Sequence, residues 1–150
     1  SVITAKRLVQ LSENIDPDRL ERAVHEATNN RRVEHGCGSL SYDTHLASIA
    51  RSHSRAMATQ DFFAHEAPDG TTAMDRYKQD GYESRRAGEN LSKRYAAVSD
   101  SVEDIANNVV TGWMNSPGHR ENVLNDAFST EGVGVYQASD GALLVTQNFS

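Results

Sequence analysis

The apolar residues of this chain change period once, and that change limits the folds open to it. Up to Trp113 they recur at helical spacing, and beyond Gly132 they alternate. Asp16-Pro17 supplies an N-cap and a proline at the first helical position. Leu20, Ala23, Val24 and Ala27 then form an apolar stripe that ends near Gly36. After the Gly36-Cys37-Gly38 turn, Leu46, Ile49, Ala50, His53 and Met57 form a second stripe, with Asp43 or Thr44 as its cap. Val102, Ile105, Val109 and Trp113 form a third, which starts at Ser99 or Asp100 and must stop before Pro117. Shorter helices are predicted from about Thr72 to Asp80, closed by Gly81, and from Ser116-Pro117 through His119 to Leu124. Asp61 to Gly70 mixes aromatics with turn residues and reads as a partly buried loop. The end of the chain reads as a β-hairpin: Val133 and Val135 alternate with Gly134 and Tyr136, Ser139-Asp140-Gly141 turns, and Leu143, Val145 and Phe149 alternate again. Parallel strands would need repeated strand-helix-strand crossovers, so this order predicts an α+β domain.

At 150 residues the chain is one domain's worth of sequence. Residues 1–15 carry only a weak pattern and read as a linker or loosely docked segment, leaving 16–150 as the domain. The net charge of -6 argues against a nucleic-acid partner, which needs a basic footprint. No apolar run is long enough for a transmembrane segment, and no N-terminal signal core is present. The chain opens at Ser1 without methionine, as a processed or trimmed product would, so its compartment is not read from its ends. Cys37 is the single cysteine, which excludes an intramolecular disulfide and a cysteine-rich metal site.

The six histidines are the natural candidates for chemistry near neutral pH. His53 lies on an apolar helix face and reads as a hydrogen-bonded core residue. His25, His35 and His45 lie in polar surroundings and read as solvated. His65, after Phe62-Phe63, and His119, after Ser116-Pro117-Gly118, fall in irregular backbone, where sites are commonly built on a rigid scaffold. There is no zincin helix, phosphate-binding loop or nucleophile elbow. Gly88-Glu89-Asn90 reads as a strand end. Asn90-Leu91-Ser92 and Asn148-Phe149-Ser150 match the glycosylation tripeptide, a pattern frequent by chance.

Taken in order, several segments resemble the CAP superfamily, or SCP domain, of cysteine-rich secretory, antigen 5 and plant pathogenesis-related proteins. They are Asn30 to Leu46, Ala50 to Met57, Asp61-Phe62-Phe63-Ala64-His65, Pro68-Asp69-Gly70, Gly88-Glu89-Asn90, Trp113 to Arg120, Gly132 to Val135, and Thr146-Gln147-Asn148-Phe149. Each is weak alone, but the ordered set is specific, and it looks most like the compact prokaryotic, disulfide-free branch. The resemblance implies a three-layer α-β-α sandwich with a central antiparallel sheet, and a cleft that holds two histidines and two acidic residues. Carried over by motif, the histidines are His65 and His119 and the first glutamate is Glu89. The second glutamate position is Ser116, so the tetrad is incomplete. Glu121 lies close by in sequence but does not match the motif.

Two imidazoles suit zinc or another divalent cation, none of them obligatory, with Glu89 as ligand or base and Ser116, Asn90 and Glu121 lining the cleft. Losing the second glutamate removes an acceptor that would fix an imidazole tautomer. Asn90 and Gln147 read as structural amides and Trp113 as core.

The leading expectation is an extracellular or cell-surface binding module, with a protein, cell-envelope or lipid partner, whose cleft can take a divalent metal. Location is inferred from the family. The alternative is a zinc-dependent peptide or ester hydrolase with Glu89 as general base. Lipid or sterol binding is a third reading, which no apolar stretch beyond the core's needs supports.

Overall fold

The computed structural model describes residues 15–150. The linker expected over residues 1–15 thus falls, apart from Ile15, outside the described residues. Helix α1 (Pro17–Glu34) starts where Asp16 accepts hydrogen bonds from the backbone N–H groups of Asp18 and Arg19, and Gly36 takes a φ of 75° just past its end. Strand β1 (Ser41–Tyr42) leads into α2 (Thr44–Thr59), capped by Asp43 through Leu46 N–H. Helix α3 (Ala73–Gln79) opens with a reciprocal capping box between Thr72 and Asp75. Strand β2 (Gly88–Arg94) precedes α4 (Val102–Met114), which has its own capping box between Ser101 and Asp104. Helix α5 (Pro117–Val123) and the hairpin β3 (Thr130–Gln137) and β4 (Leu143–Phe149) complete the fold.

The sheet order is β1-β3-β4-β2, antiparallel from β3 through β2. Strand β1 adds a two-residue parallel edge beside Thr130 and Glu131, too short to leave an alternation in the sequence. Alternation along β3 and β4 sends Val133, Val135, Leu143 and Val145 to one face. There they pack against Leu20 and Val24 of α1 and Ile105, Val109 and Trp113 of α4, with Ile15 alongside. Each fully buried aliphatic side chain there contributes roughly 1.5–3 kcal/mol. The opposite face meets α2, with Met57 against Leu91 and Leu144. Helices thus cover both faces, the expected three-layer sandwich.

Helix α2 approaches the sheet to backbone distance. A Cβ at Gly132 would collide with Leu46 and Ala47, and one at Gly134 with Ala50 and Arg51. Ser54 fixes the same contact by donating to Gly134 O at 2.8 Å, with Thr146 Oγ1 2.7 Å from its hydroxyl. The free edge of β3 is closed by side chains: Glu21 accepts from Val135 N–H at 3.0 Å and is itself held by Arg51 at 2.6 and 2.8 Å. The edge of β2 is closed similarly, with Trp113 Nε1 donating to Leu91 O at 2.9 Å. No described helix is long and apolar enough to cross a membrane.

Candidate functional site

Glu89 is the centre of the site. It lies on the α2-facing side of β2, opposite Asn148 of β4, and its side chain is 3% exposed. Burial pushes its carboxyl up, but four neighbours outweigh burial and hold it below the usual range: His65, Arg76, His53 and Asn148. His65 Nδ1 lies 2.9 Å from Oε1; Arg76 Nη2 and Asn148 Nδ2 donate to Oε2 at 2.5 and 2.9 Å. An ionised carboxylate only accepts, so His65 carries its proton on Nδ1 and presents Nε2 outward. The Glu89 hydrogen bond raises the His65 pKa, against an opposing effect of burial.

The loop that carries His65 is tied down at its backbone. Asp61 leaves α2 at a φ of 53°, His53 Nε2 donates to Ala64 O at 2.9 Å, and Arg76 Nη1 donates to His65 O at 2.9 Å. His53 is 2% exposed, as the apolar face predicts, and burial lowers its pKa. Its Nε2 is also 3.9 Å from Glu89 Oε1.

His119 sits in the first turn of α5, and a ladder of amides attaches that turn to β2. Asn90 Nδ2 donates to His119 O at 3.1 Å and to Gln147 Oε1 at 3.1 Å, and Asn122 Nδ2 donates to Asn90 Oδ1 at 3.0 Å and Glu89 O at 3.2 Å. The His119 ring is half-buried and has no hydrogen bond among the described residues. Burial lowers its pKa, and the charge of His65 lowers it further.

The sequence-predicted residues therefore divide. His65 and Glu89 are in contact, while His119 is linked to β2 through its backbone carbonyl and Asn90. Asn90 and Gln147 are fully buried amides that hold strand and helix, as expected of structural residues. Ser116 is the half-buried N-cap of α5 and makes no side-chain cap bond, while Glu121 is exposed on the same helix. Asn90 and Asn148 are both 0% exposed and hydrogen-bonded, so neither glycosylation match is available in the folded chain.

His25 departs from expectation. Rather than being solvated, its Nδ1 lies 3.0 Å from the fully buried Glu131, because α1 crosses the sheet face from which Glu131 projects. Sequence reasoning also missed Arg76 and Asn148. A buried glutamate requires donors, and that requirement is the signal that could have prompted a search for them.

Among the described residues, no three or more His, Cys, Asp and Glu side chains are grouped to hold a metal ion. The donor chemistry nevertheless fits a cation held from one side. A ligating histidine commonly gives its second ring N–H to a carboxylate, and His65 does this with Glu89.

The chain matches the model of the CAP, cysteine-rich secretory protein family over residues 25–149. It is 34% identical to YkwD of Bacillus subtilis over 129 residues, 86% of this chain and 46% of YkwD. It is 33% identical over 129 residues to the B. subtilis membrane protein YlbC, 86% of this chain and 34% of YlbC. It therefore spans less than half the length of either relative. Among solved structures it resembles an extracellular SCP-domain protein of Bacillus anthracis, with a TM-score of 0.76 and 32% identity over 89% of this chain and 40% of that one. An outer surface protein of Borrelia burgdorferi shares the fold at a TM-score of 0.77, with 21% identity over 90% of this chain and 94% of that one. With one cysteine and therefore no internal disulfide, this chain belongs to the CAP family, on its disulfide-free bacterial side.

Proposed function

We propose that this domain is an extracellular or cell-surface binding module whose cleft takes a divalent cation, zinc by donor type, through His65 and His119. The observation that carries the reading is the His65–Glu89 hydrogen bond, which leaves His65 Nε2 as a free lone pair; the His119 imidazole, whose pKa responds to the charge of His65, is the second donor in this reading. In this reading Glu89 orients His65. Its oxygens already accept from three donors and its carboxyl is held low, which favours an orienting role over a general base and a module over a hydrolase. Two protein ligands leave the remaining coordination positions to water or to the molecule being bound, which suits an interaction module. The placement outside the cell draws support from the bacterial relatives described as extracellular and outer-surface proteins.

Zinc titration calorimetry on metal-stripped protein tests this, run beside His65→Ala and His119→Ala. One zinc is expected, with either substitution abolishing the heat and the accompanying rise in Tm. Because His65 must lose a proton to bind, affinity should rise about tenfold per pH unit up to its raised pKa and then level off. Absence of both heat and Tm shift overturns the reading. Chelator-sensitive turnover of a peptide or ester would replace it with the hydrolase.

A further inference from the structure

An unbroken chain of hydrogen bonds runs along the α1 face of the sheet and ends at the turn that carries His119. At its head, His25 Nδ1 lies 3.0 Å from Glu131 Oε1. The other carboxylate oxygen, Oε2, accepts from Gln147 Nε2 at 3.2 Å, and Gln147 Oε1 accepts from Asn90 Nδ2 at 3.1 Å. The same Asn90 nitrogen donates to His119 O at 3.1 Å, while Asn90 Oδ1 accepts from Asn122 Nδ2 at 3.0 Å. Glu131, Gln147 and Asn90 are each 0% exposed, and the His25 side chain, at 16%, is the end nearest solvent.

The chain has a direction. A side-chain amide has one accepting and one donating end, so Gln147 and Asn90 each pass on the polarity they meet. The pair at the head has three places for a proton: one shared between Nδ1 and Oε1, one on Nε2 of the ring, and one on Oε2, the oxygen bonded to Gln147. Filling the last sets an O–H against the N–H of Gln147. Gln147 restores the bond by turning its oxygen to Glu131, and Thr28 Oγ1, which accepts from Nε2 at 2.9 Å, then serves as donor instead. That turn sets Gln147 Nε2 against Asn90 Nδ2. Asn90 must turn in its place, and it then loses its bonds with both His119 O and Asn122. Burial holds the Glu131 carboxyl above the usual range, against the opposing effects of His25, Gln147 and Arg32, so this proton arrives at a higher pH than for a free glutamate. His25 and Arg32 belong to α1; β1 sets Tyr42 in register with Glu131, its ring 4.9 Å from that of His25 and 4.2 Å below the Arg22 guanidinium; β4 contributes Gln147.

We propose that His25 and Glu131 are positioning residues for His119: a proton taken from solvent at Glu131 Oε2 reverses the Gln147 and Asn90 amides, releases the first turn of α5, and makes the cleft give up its cation in acid. The last step rests on the reading of His119 as a ligand. The amide relay does not.

The test is an NMR titration of the metal-free chain from neutral pH downward, following the Glu131 carboxyl carbon, the Gln147 and Asn90 side-chain amides and the His119 carbonyl carbon. All four should shift with one midpoint. Glu131→Gln removes the titrating group while its amide oxygen still accepts from Gln147, and it should abolish that step at Asn90 and at the His119 carbonyl, leaving only the titration of the His119 ring itself. Gln147→Met cuts the chain and should leave Glu131 titrating without a step at Asn90 or His119. A mere buttress would cost stability in both variants and leave the pH profile of the His119 carbonyl unchanged. Zinc titration supplies the second readout: one pH unit below the Glu131 midpoint, Glu131→Gln should bind zinc about tenfold more tightly than the unsubstituted chain, and equally well at neutral pH. The relay is overturned if Glu131 titrates with Asn90 unmoved, if Glu131 does not titrate before the protein unfolds, or if the His119 step persists in Glu131→Gln. Equal zinc affinities in acid overturn its control of the cation. Zinc binding by neither protein overturns the cation reading, and the NMR result alone then decides the relay.

Discussion

The molecule contains two buried glutamate–histidine pairs, on opposite faces of one sheet. Glu89 pairs with His65 on the α2 side, and Glu131 pairs with His25 on the α1 side, at nearly equal distances of 2.9 and 3.0 Å. Their electrostatics nevertheless diverge. Burial raises Glu131 and its hydrogen bonds from His25 and Gln147 do not restore it, whereas Glu89 ends below its ordinary value despite burial. Glu89 is held by His65 and by Arg76, a guanidinium in direct contact, with His53 and Asn148 adding to them, whereas the more deeply buried Glu131 has one amide, Gln147 Nε2 at 3.2 Å, beside its histidine and feels Arg32 without a hydrogen bond. Exposure differs too: the His65 side chain is 58% exposed and that of His25 16%. A carboxylate–imidazole pair thus becomes a candidate site only when a third group keeps the acid ionised and the imidazole reaches solvent.

This contrast can be broken in several ways. The largest effect is expected for Arg76→Ala and Glu89→Gln, each costing about 3 kcal/mol in urea unfolding at pH 7, because a buried ionic partner is left uncompensated. Next comes His25→Ala, at about 2 kcal/mol, since it strips the fully buried Glu131 of one of its two hydrogen bonds. Glu131→Gln should cost about 1 kcal/mol or less, because the amide is close in shape to a carboxyl already pushed toward its neutral form. If Glu131→Gln matches Glu89→Gln, the distinction fails. The smallest effect is His65→Ala, about 0.5 kcal/mol in stability, as befits an exposed ion-pair partner, even though the proposal expects it to abolish cation binding.

Titration separates the pairs by sign. Glu89 has a lowered folded-state pKa, so its contribution is present above the unfolded value of about 4.3 and is lost as pH falls through the folded one. Glu131 is raised, so its contribution is present below about 4.3 and is lost as pH rises through its folded value. Unfolding measured from acid to neutral pH should therefore lose opposite slopes in Glu89→Gln and Glu131→Gln. His65, raised, adds stability below about pH 6.5 that disappears as pH rises through its folded value.

The legible parts of this molecule are those written in local sequence. Asp16-Pro17 and Ser116-Pro117 start their helices, and the period change marks the hairpin. His65, Glu89 and His119 were reached through ordered motifs, and the structure places the first two in contact. His25 was misread because its partner lies 106 residues further on, so nothing near it announces burial. Arg76 sits on a seven-residue helix, one of the chain's 15 lysines and arginines, and only its side-chain contact with Glu89 of β2 distinguishes it. Strand β1 escaped because two residues cannot show a period.

The sheet order has a consequence for how the site comes into being during synthesis. Strand β4 joins β2 to β3, and it is the last strand in sequence. Asn148 reaches the Glu89 carboxylate from 59 residues downstream, and the backbone contact of α2 is with a strand that begins at Thr130. A growing chain that has already extruded His65, Arg76 and Glu89 therefore has no sheet on which to hold them. With the pairings that matter so distant in sequence, folding is expected to be slow and to complete the cleft in one late step. A ribosome-bound chain paused before β4 would expose a glutamate and an arginine that only the final strand puts away.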